Sequence, residues 1–313
     1  MPEWSVTCLD TIRNAEWDLP RAPRLIMFSP PYPPLRCYDE GADGAIGTDS
    51  DLSAYTDAIR GLLLNVKKAL ADDGHLVLNI GDSYCGKGDR RKSLNLLPER
   101  IAMELDTVGF IIRNRVIWAK QVWLADDTTR GATIPHGTKD RWLPSHEMCY
   151  LCTPKAMAYF DTEAVKIPKA TQETRDPLPK EEWDALFEKK MAAAQKIYGD
   201  DPGQRLRIKT LRRMPPLEGR PIRSVKTGPD VWQGPVARND FHPAEYPPWL
   251  CRRFIKSCTE PGDLVVDPMC GSSSLGVTAL RLGRDYCGFD ISESYVDASI
   301  QRITAQEAAR ESV

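Results

Sequence analysis

The chain has 313 residues, 42% of them hydrophobic, and a formal net charge of −2 at pH 7. That length suffices for one large domain with an insertion, and the near-neutral charge gives no overall sign of a nucleic-acid partner. Because the sequence has no run of about eighteen apolar residues, no signal-peptide pattern and nine scattered cysteines, it disfavours a membrane-spanning or disulfide-framed class, and we expect a cytoplasmic protein with reduced thiols.

The N-terminal part predicts two strands. Ser5–Leu9 is a short strand candidate, and Asp10 begins a predicted helix. The four apolar residues Leu25–Phe28 predict a strand buried on both faces, as in a parallel sheet. Ser29-Pro30-Pro31-Tyr32 ends this strand, because proline offers no N–H to a strand ladder. A hydroxyl, free carbonyl groups and an aromatic ring therefore lie at its carboxyl end, where open α/β sheets bind ligands.

The next segment alternates between helices and strands. Residues 33–50 are rich in Gly, Asp and Pro and are too long for a simple connection, so we expect a flap over a substrate. The pair Cys149 and Cys152 has no second pair and few histidines to accompany it, so we predict two thiols in a buried strand and no metal site. The apolar spacing predicts helices at Asp51–Asp72 and Pro98–Val108, and strands at His75–Ile80, Phe110–Trp118 and Ser145–Thr153, the last two as a hairpin pair.

Positive charge is concentrated in two segments. Between Gln204 and Lys226, eight basic residues stand against one acid, Glu218, and the loop Cys85–Asn95 carries four more. A basic stripe confined to one segment is the electrostatic footprint of phosphate contact, and a solvated charged loop is the alternative. The residues predicted to contact phosphate are Arg90, Arg91, Arg205, Arg207, Lys209, Arg212, Arg213 and Lys226.

The C-terminal part predicts a second ligand-binding strand end. Leu264–Asp267 is a predicted buried strand that runs into a turn of small residues and then a helix at Val277–Leu282. Small residues let a backbone approach a ligand, and a helix N-terminus offers free N–H groups to an anionic part of it. The next predicted strand ends in Asp290, which is placed to hold ribose hydroxyls, as in dinucleotide-binding folds.

Two of these motifs together resemble those of the DNA amino-methyltransferases, which use S-adenosylmethionine. Ser29–Tyr32 is similar to their catalytic motif, and Asp267–Ser273 to their cofactor motif. The catalytic motif comes first, which is the permuted order of the β class. The resemblance implies a doubly wound, mostly parallel, seven-stranded, circularly permuted α/β sheet. It also implies a catalytic half at 1–162, an inserted target-recognition region at 163–235 and a cofactor-binding half at 236–313.

The same resemblance implies a set of site residues. In the family, a Gly-Asp pair usually precedes the catalytic strand, whereas Thr7 stands here; Met269 replaces a phenylalanine and Ser273 a glycine. His242 belongs to a motif that closes over the methionine end of the cofactor, and its use as a general base is the lesser alternative. The implied catalytic residues are Ser29, Pro30, Pro31 and Tyr32. The implied cofactor-binding residues are Thr7, Cys8, Phe28, His242, Pro243, Asp267, Pro268, Met269, Gly271, Ser272, Ser273 and Asp290.

The chemistry of an exocyclic amine explains the catalytic motif. Its lone pair is delocalised into the base, so acceptors at the hydroxyl of Ser29 and the carbonyl of Pro30 would localise it and stabilise the developing positive charge. Tyr32 would stack on a base flipped out of double-stranded DNA. Methylation at cytosine C5 needs a cysteine nucleophile, and no Pro-Cys dipeptide occurs in the chain.

These features leave several hypotheses. Because family members with Ser-Pro-Pro-Tyr mostly modify cytosine N4, we expect that product, with adenine N6 as the alternative. A nucleotide-dependent oxidoreductase is disfavoured, since the turn Gly271–Gly276 lacks the middle glycine of the dinucleotide fingerprint. A catalytically silent DNA-binding relative is the third class. A cognate restriction endonuclease would be a further partner, whereas no membrane partner is expected.

Overall fold

The computed structural model describes residues 2–33, 51–131, 139–168, 225–237 and 245–311, together with the single positions 46, 184, 185, 188 and 192. The chain divides into two units, residues 1–165 with 229–313 and residues 166–228. Most of the predicted flap and the centre of the basic segment lie outside the described residues.

The elements of the described residues follow one another in this order. The strands are β1 (Trp4–Cys8), β2 (Leu25–Phe28), β3 (His75–Ile80), β4 (Ile111–Ala119), β5 (Gln121–Trp123), β6 (Thr129–Gly131), β7 (His146–Thr153), β8 (Lys166–Pro168), β9 (Val225–Thr227), β10 (Val231–Gln233), β11 (Leu264–Asp267) and β12 (Asp285–Asp290). The helices are α1 (Leu52–Ala69), α2 (Leu97–Thr107), α3 (Pro248–Cys258), α4 (Ser274–Arg281) and α5 (Glu293–Glu311).

The first unit is built on an eight-stranded sheet in the order β1-β12-β11-β2-β3-β7-β4-β10. All neighbours are parallel except β7, which is antiparallel to both β3 and β4. The predicted α/β sheet and the hairpin pair are therefore confirmed. The three-residue strand β10 extends the expected seven strands by one at the edge. In the second unit, β8 pairs with β9 in an antiparallel ladder.

Helices cover both faces of this sheet. Side chains alternate along a strand, so Ile26 and Phe28 pack with the apolar faces of α1 and α2, whereas Leu25 and Met27 pack with those of α3 and α4. All four side chains of β2 are fully buried. A strand covered on both faces needs apolar residues at every position, which explains why β2 could be predicted from a short apolar run.

Two predicted helix starts differ from the structure, and a third lies outside the described residues. At Asp10 the chain forms a turn, because Oδ1 of this aspartate accepts hydrogen bonds from the N–H groups of Ile12 (3.0 Å) and Arg13 (3.1 Å). Helix α3 begins at Pro248, and the expected start near Asp240 lies outside the described residues. Helix α4 begins at Ser274, earlier than the predicted Val277.

The fully buried ring of Tyr286 fills space that two glycines leave open. A Cβ atom at Gly276 would lie 2.4 Å from Cε1 of this ring, and one at Gly288 would lie 2.6 Å from its hydroxyl. We expect Gly276→Ala to lower the free energy of unfolding by about 2 kcal/mol, because overpacking outweighs the gain in helix propensity.

The matched control is Gly61→Ala in α1, where the nearest atom to a new Cβ is 4.0 Å away. We expect this variant to be neutral or to gain about 0.5 to 1 kcal/mol. Urea denaturation of both variants measures the difference. Equal effects of the two substitutions would contradict the packing argument.

Candidate active site

Three parallel strands end side by side at the carboxyl edge of the sheet. β11 pairs with β2 and β2 pairs with β3, with Val266 opposite Ile26 and Phe28 opposite Leu78. Asp267 ends β11, and Ser29 directly follows β2. Two predicted motifs that lie more than 200 residues apart in the sequence therefore meet at one edge.

The predicted catalytic residues form a turn with an internal hydrogen bond. The hydroxyl oxygens of Ser29 and Tyr32 are 3.0 Å apart. Pro30 is buried, and both Ser29 and Tyr32 are half-buried. The carbonyl of Pro33, next in the chain, accepts a hydrogen bond from the hydroxyl of Ser83 after β3. The turn is thus tied to the neighbouring strand end.

A buried asparagine in β3 contacts this turn and was missed by the sequence analysis. Asn79 is 2% exposed, and its Nδ2 donates to the Tyr32 hydroxyl at 3.0 Å and to Oε2 of Glu147 at 2.8 Å. Its Oδ1 accepts from the thiol of Cys149 at 3.0 Å. Glu147 in turn forms an ion pair with Lys120. The available signal was a polar residue inside the otherwise apolar run Leu76–Ile80.

The turn after β11 contains the predicted cofactor residues. The carboxyl of Asp267 is 2% exposed and accepts a hydrogen bond from the N–H of Met269 at 3.0 Å. Burial raises the pKa of Asp267 to about 8, with a smaller contribution from Asp290. The hydroxyl of Tyr246, buried in the same neighbourhood, has no hydrogen-bond partner among the described residues.

Backbone geometry explains the serine that replaces a glycine in this turn. Gly271 and Ser273 both adopt left-handed conformations, with φ of 50° and 53°. The fully buried Ser273 is held by a 3.1 Å hydrogen bond between its hydroxyl and that of Tyr286. Serine is therefore accommodated where glycine would be favoured.

Asp290 is bound to the same turn. Its Oδ2 accepts from the N–H of Gly271 at 2.8 Å, and its Oδ1 accepts from the N–H of Ser292 at 3.0 Å. Thr7 and Cys8 of β1 lie opposite Phe289 and Asp290 in the ladder, and both are exposed. The predicted ribose acid, Thr7 and Cys8 are thus brought together at one edge.

Other predicted site residues are placed differently. Phe28 is fully buried in the apolar cluster that faces α1, and His242 and Pro243 lie outside the described residues. Arg90 and Arg91 are exposed in a loop closed by a 2.8 Å backbone hydrogen bond from Cys85 N–H to the carbonyl of Ser93. Lys226 lies in β9 of the second unit, and Arg205, Arg207, Lys209, Arg212 and Arg213 fall outside the described residues.

A partly buried ion pair joins the cofactor turn to α5, and this contact was also missed. Nη1 of Arg302 donates to Oε1 of Glu245 at 2.7 Å and to the carbonyl of Ser272 at 2.9 Å. The hydroxyl of Ser272 donates to Oε1 of Glu245 at 2.5 Å. The side chain of Glu245 is only 5% exposed. The ion pair therefore fixes the turn through contacts separate from those of Asp290.

The two closely spaced cysteines lie in a strand of the sheet. Cys149 and Cys152 are buried in β7, as predicted, and burial raises the pKa of both thiols. Among the described residues, no three or more His, Cys, Asp or Glu side chains are grouped to hold a metal ion. None of the described helices is long and apolar enough to span a bilayer.

Comparisons with known proteins give matches over most of the chain. A family model described as DNA methylase, N6_N4_Mtase, matches residues 24–301. The Type II methyltransferase M.Cfr9I of Citrobacter freundii is 27% identical over 308 residues, which cover 91% of this chain and 82% of the relative. M.SmaI of Serratia marcescens is 26% identical over 302 residues, covering 89% and 83% of the two chains.

Solved structures show the same fold. The PvuII DNA methyltransferase, named as cytosine-N4-specific, superposes with a TM-score of 0.61 at 19% identity and covers 97% of this chain and 91% of its own. A DNA modification methylase of Thermus thermophilus, solved with S-adenosyl-L-methionine, gives a TM-score of 0.55 at 20% identity. The match covers 97% of this chain and 95% of the methylase.

Proposed function

The chain belongs to the N6/N4 DNA methylase family, whose members are S-adenosylmethionine-dependent DNA methyltransferases, and from this premise we propose that it methylates the exocyclic N4 of cytosine in DNA. The observation that carries the proposal is the neutral hydroxyl of Ser29. This hydroxyl is hydrogen-bonded to the hydroxyl of Tyr32, with 3.0 Å between the two oxygens, and it lies beside the end of β11.

The residues of the second turn fit S-adenosylmethionine. The buried carboxyl of Asp267 and the buried hydroxyl of Tyr246, which has no hydrogen-bond partner among the described residues, are polar groups whose burial a bound polar ligand would compensate. Asp267 and the backbone of residues 268–273 would hold the methionine part, and Asp290 the ribose. When bound, this cofactor supplies a methyl group activated by a sulfonium. His242 and Pro243 are proposed to close over its methionine end.

The proposed mechanism uses acceptors and requires no protein nucleophile. The hydroxyl of Ser29 and the carbonyl of Pro30 accept the two hydrogens of the target amine, which localises its lone pair and stabilises the positive charge that develops on nitrogen. Tyr32 stacks on the flipped base and fixes its distance from the cofactor. The amine nitrogen would form its bond to the methyl group as the methyl–sulfonium bond breaks, and it would then release one proton to solvent water.

Serine favours cytosine over adenine. Adenine-specific relatives usually offer a carboxylate at this position, whereas Ser29 offers one short neutral acceptor. A compact pyrimidine would bring its amine to that hydroxyl while Tyr32 packs on the ring face. Adenine N6 is the second candidate, since the family includes both products.

We further propose that double-stranded DNA is bound through the two basic segments. Arg90 and Arg91 are exposed on the first unit, and residues 163–235 are assigned to target recognition. A cognate restriction endonuclease is a proposed partner, because Type II methyltransferases are among the relatives.

The test is methyl transfer from labelled S-adenosylmethionine to DNA isolated from a methylation-deficient bacterial strain. The DNA is then digested to nucleosides, which are separated by mass. We expect N4-methylcytosine. N6-methyladenine as the sole product would refute the cytosine assignment, and binding of DNA without transfer would indicate a catalytically silent relative.

The buried carboxyl of Asp267 makes cofactor affinity depend on pH. Because burial raises its pKa to about 8, the carboxyl is mostly protonated at neutral pH, and a cationic ammonium group binds better to the ionised form. Affinity should therefore rise with pH between about 6 and 7.5, by up to about tenfold per unit. Calorimetry across this range measures it.

Asp267→Asn is the control for this pH dependence. The amide is similar in shape but cannot ionise, so we expect weaker binding and a flat profile over the same range. A wild-type affinity that falls as pH rises would contradict the role of this carboxyl.

A further inference from the structure

A line of hydrogen-bonded side chains runs from Lys120 through Glu147 and Asn79 to the catalytic turn. We propose that Asn79 is a positioning residue for methyl transfer, which fixes the hydroxyl of Tyr32 and, through it, both the ring that packs on the target base and the acceptor Ser29. The inference rests on the proposed function and deepens it.

The partners of Asn79 determine the orientation of its amide. A carboxylate only accepts hydrogen bonds, so the amide atom 2.8 Å from Oε2 of Glu147 must be Nδ2. On the other side, the thiol of Cys149 donates to Oδ1 at 3.0 Å. Lys120 holds the second oxygen of Glu147 in an ion pair. The amide therefore cannot flip without losing these partners.

The orientation of the Asn79 amide determines that the Tyr32 oxygen accepts a hydrogen bond from it. Nδ2 of Asn79 can only donate, so the Tyr32 oxygen accepts at 3.0 Å and is held in place before any substrate arrives. The same oxygen is 3.0 Å from the hydroxyl of Ser29. One buried amide thus sets the position of both catalytic side chains.

The ring of Tyr32 is also confined along its edge. A Cβ atom at Gly81, the residue after β3, would lie 2.9 Å from Cε2 of Tyr32 and 3.1 Å from Cγ of Glu147. The backbone of Gly81 therefore packs directly against the ring. A stacking surface that is ordered in advance loses less conformational freedom when it captures a base.

The alternative is that Asn79 only satisfies polar groups in the core. It is 2% exposed between Leu78 and Ile80 in a strand whose other members are mostly apolar. A core role predicts losses of stability that do not depend on Tyr32. A positioning role predicts coupling between the two side chains, so a double-mutant cycle separates them.

The cycle compares wild type, Asn79→Leu, Tyr32→Phe and the double variant, assayed with labelled S-adenosylmethionine and unmethylated bacterial DNA. We expect each single substitution to lower kcat about tenfold with unchanged cofactor affinity, and the double variant to be no slower than Tyr32→Phe within about twofold. The Tm changes of the unliganded protein should also be non-additive. Losses that multiply, or loss of stability without loss of kcat, would overturn the proposal.

A second pair of variants guards against misfolding. Asn79→Asp alone sets two carboxylates against each other, and adding Glu147→Gln restores a donor and acceptor pair. Because the aspartate still offers the tyrosine an acceptor instead of a donor, we expect the pair to recover Tm but not kcat. Recovery of both would assign Asn79 a purely structural role.

A wild type that transfers no methyl refutes the proposed function and this role together, whereas an active wild type with multiplying losses refutes only this inference.

Discussion

Ser29→Ala should lower the turnover rate roughly ten- to a thousandfold while leaving cofactor affinity nearly unchanged. The substitution deletes a preorganised acceptor at the nitrogen where positive charge develops, and it also removes the 3.0 Å partner of the Tyr32 hydroxyl. The cofactor turn is held by other contacts, among them those of Asp290 and Arg302. Single-turnover methyl transfer and calorimetry measure the two quantities.

The control is Ser53→Ala, an exposed serine in the first turn of α1. Its activity should stay within about twofold of wild type, since surface substitutions of this kind have small effects. If the two serine variants transferred methyl groups equally fast, the acceptor role of Ser29 would be wrong. A parallel loss of cofactor affinity in Ser29→Ala would instead indicate that this serine shapes the cofactor site.

Arg302→Met should lower the free energy of unfolding by about 3 kcal/mol and weaken cofactor binding. It removes the cation that pairs with Glu245, whose side chain is 5% exposed, and the donor to the carbonyl of Ser272. Removing Arg302 is costly because the nearly buried carboxylate of Glu245 loses the cation that pairs with it. Urea denaturation and calorimetry give both effects.

Arg281→Met serves as the comparison, because this arginine is exposed in the last turn of α4. We expect a change within about 0.5 kcal/mol. Adding Glu245→Gln to Arg302→Met should recover part of the lost stability, since it removes the negative charge that Arg302 balances in the wild type. A stability of Arg302→Met equal to that of Arg281→Met would show that the ion pair contributes nothing.

The sheet and the two motifs were predictable because their signals are local. Leu25–Phe28 and Leu264–Asp267 are buried on both faces, and such strands consist almost entirely of apolar residues. Ser29 and Tyr32 are three residues apart, so their hydrogen bond lies within one turn. Local sequence patterns of this kind can be recognised without knowing which distant residues are in contact.

The missed residues depend on contacts between distant parts of the chain. Asn79 and Glu147 are 68 residues apart, and Glu245 and Arg302 are 57 residues apart. Sequence periodicity does not predict such pairs, because each residue alone looks like an ordinary surface polar residue. The helix predicted at Asp10 was wrong because the local signal is ambiguous. An aspartate can cap a helix, and it can equally well accept hydrogen bonds from the backbone in a turn.

The pairing of β1 with β12 brings residues that are far apart in the sequence into one ladder, with Trp4 opposite Tyr286 and Cys8 opposite Asp290. During synthesis, the ribosome releases β1 and β2 well before the strands that separate them in the sheet exist. The ladder between β1 and β12 closes a loop of about 280 residues and can form only after β12 has been synthesised. The site therefore assembles late. A ribosome-bound chain that has the catalytic turn but not the cofactor turn therefore lacks half of the site, and we expect methyl transfer only after β12 has been synthesised.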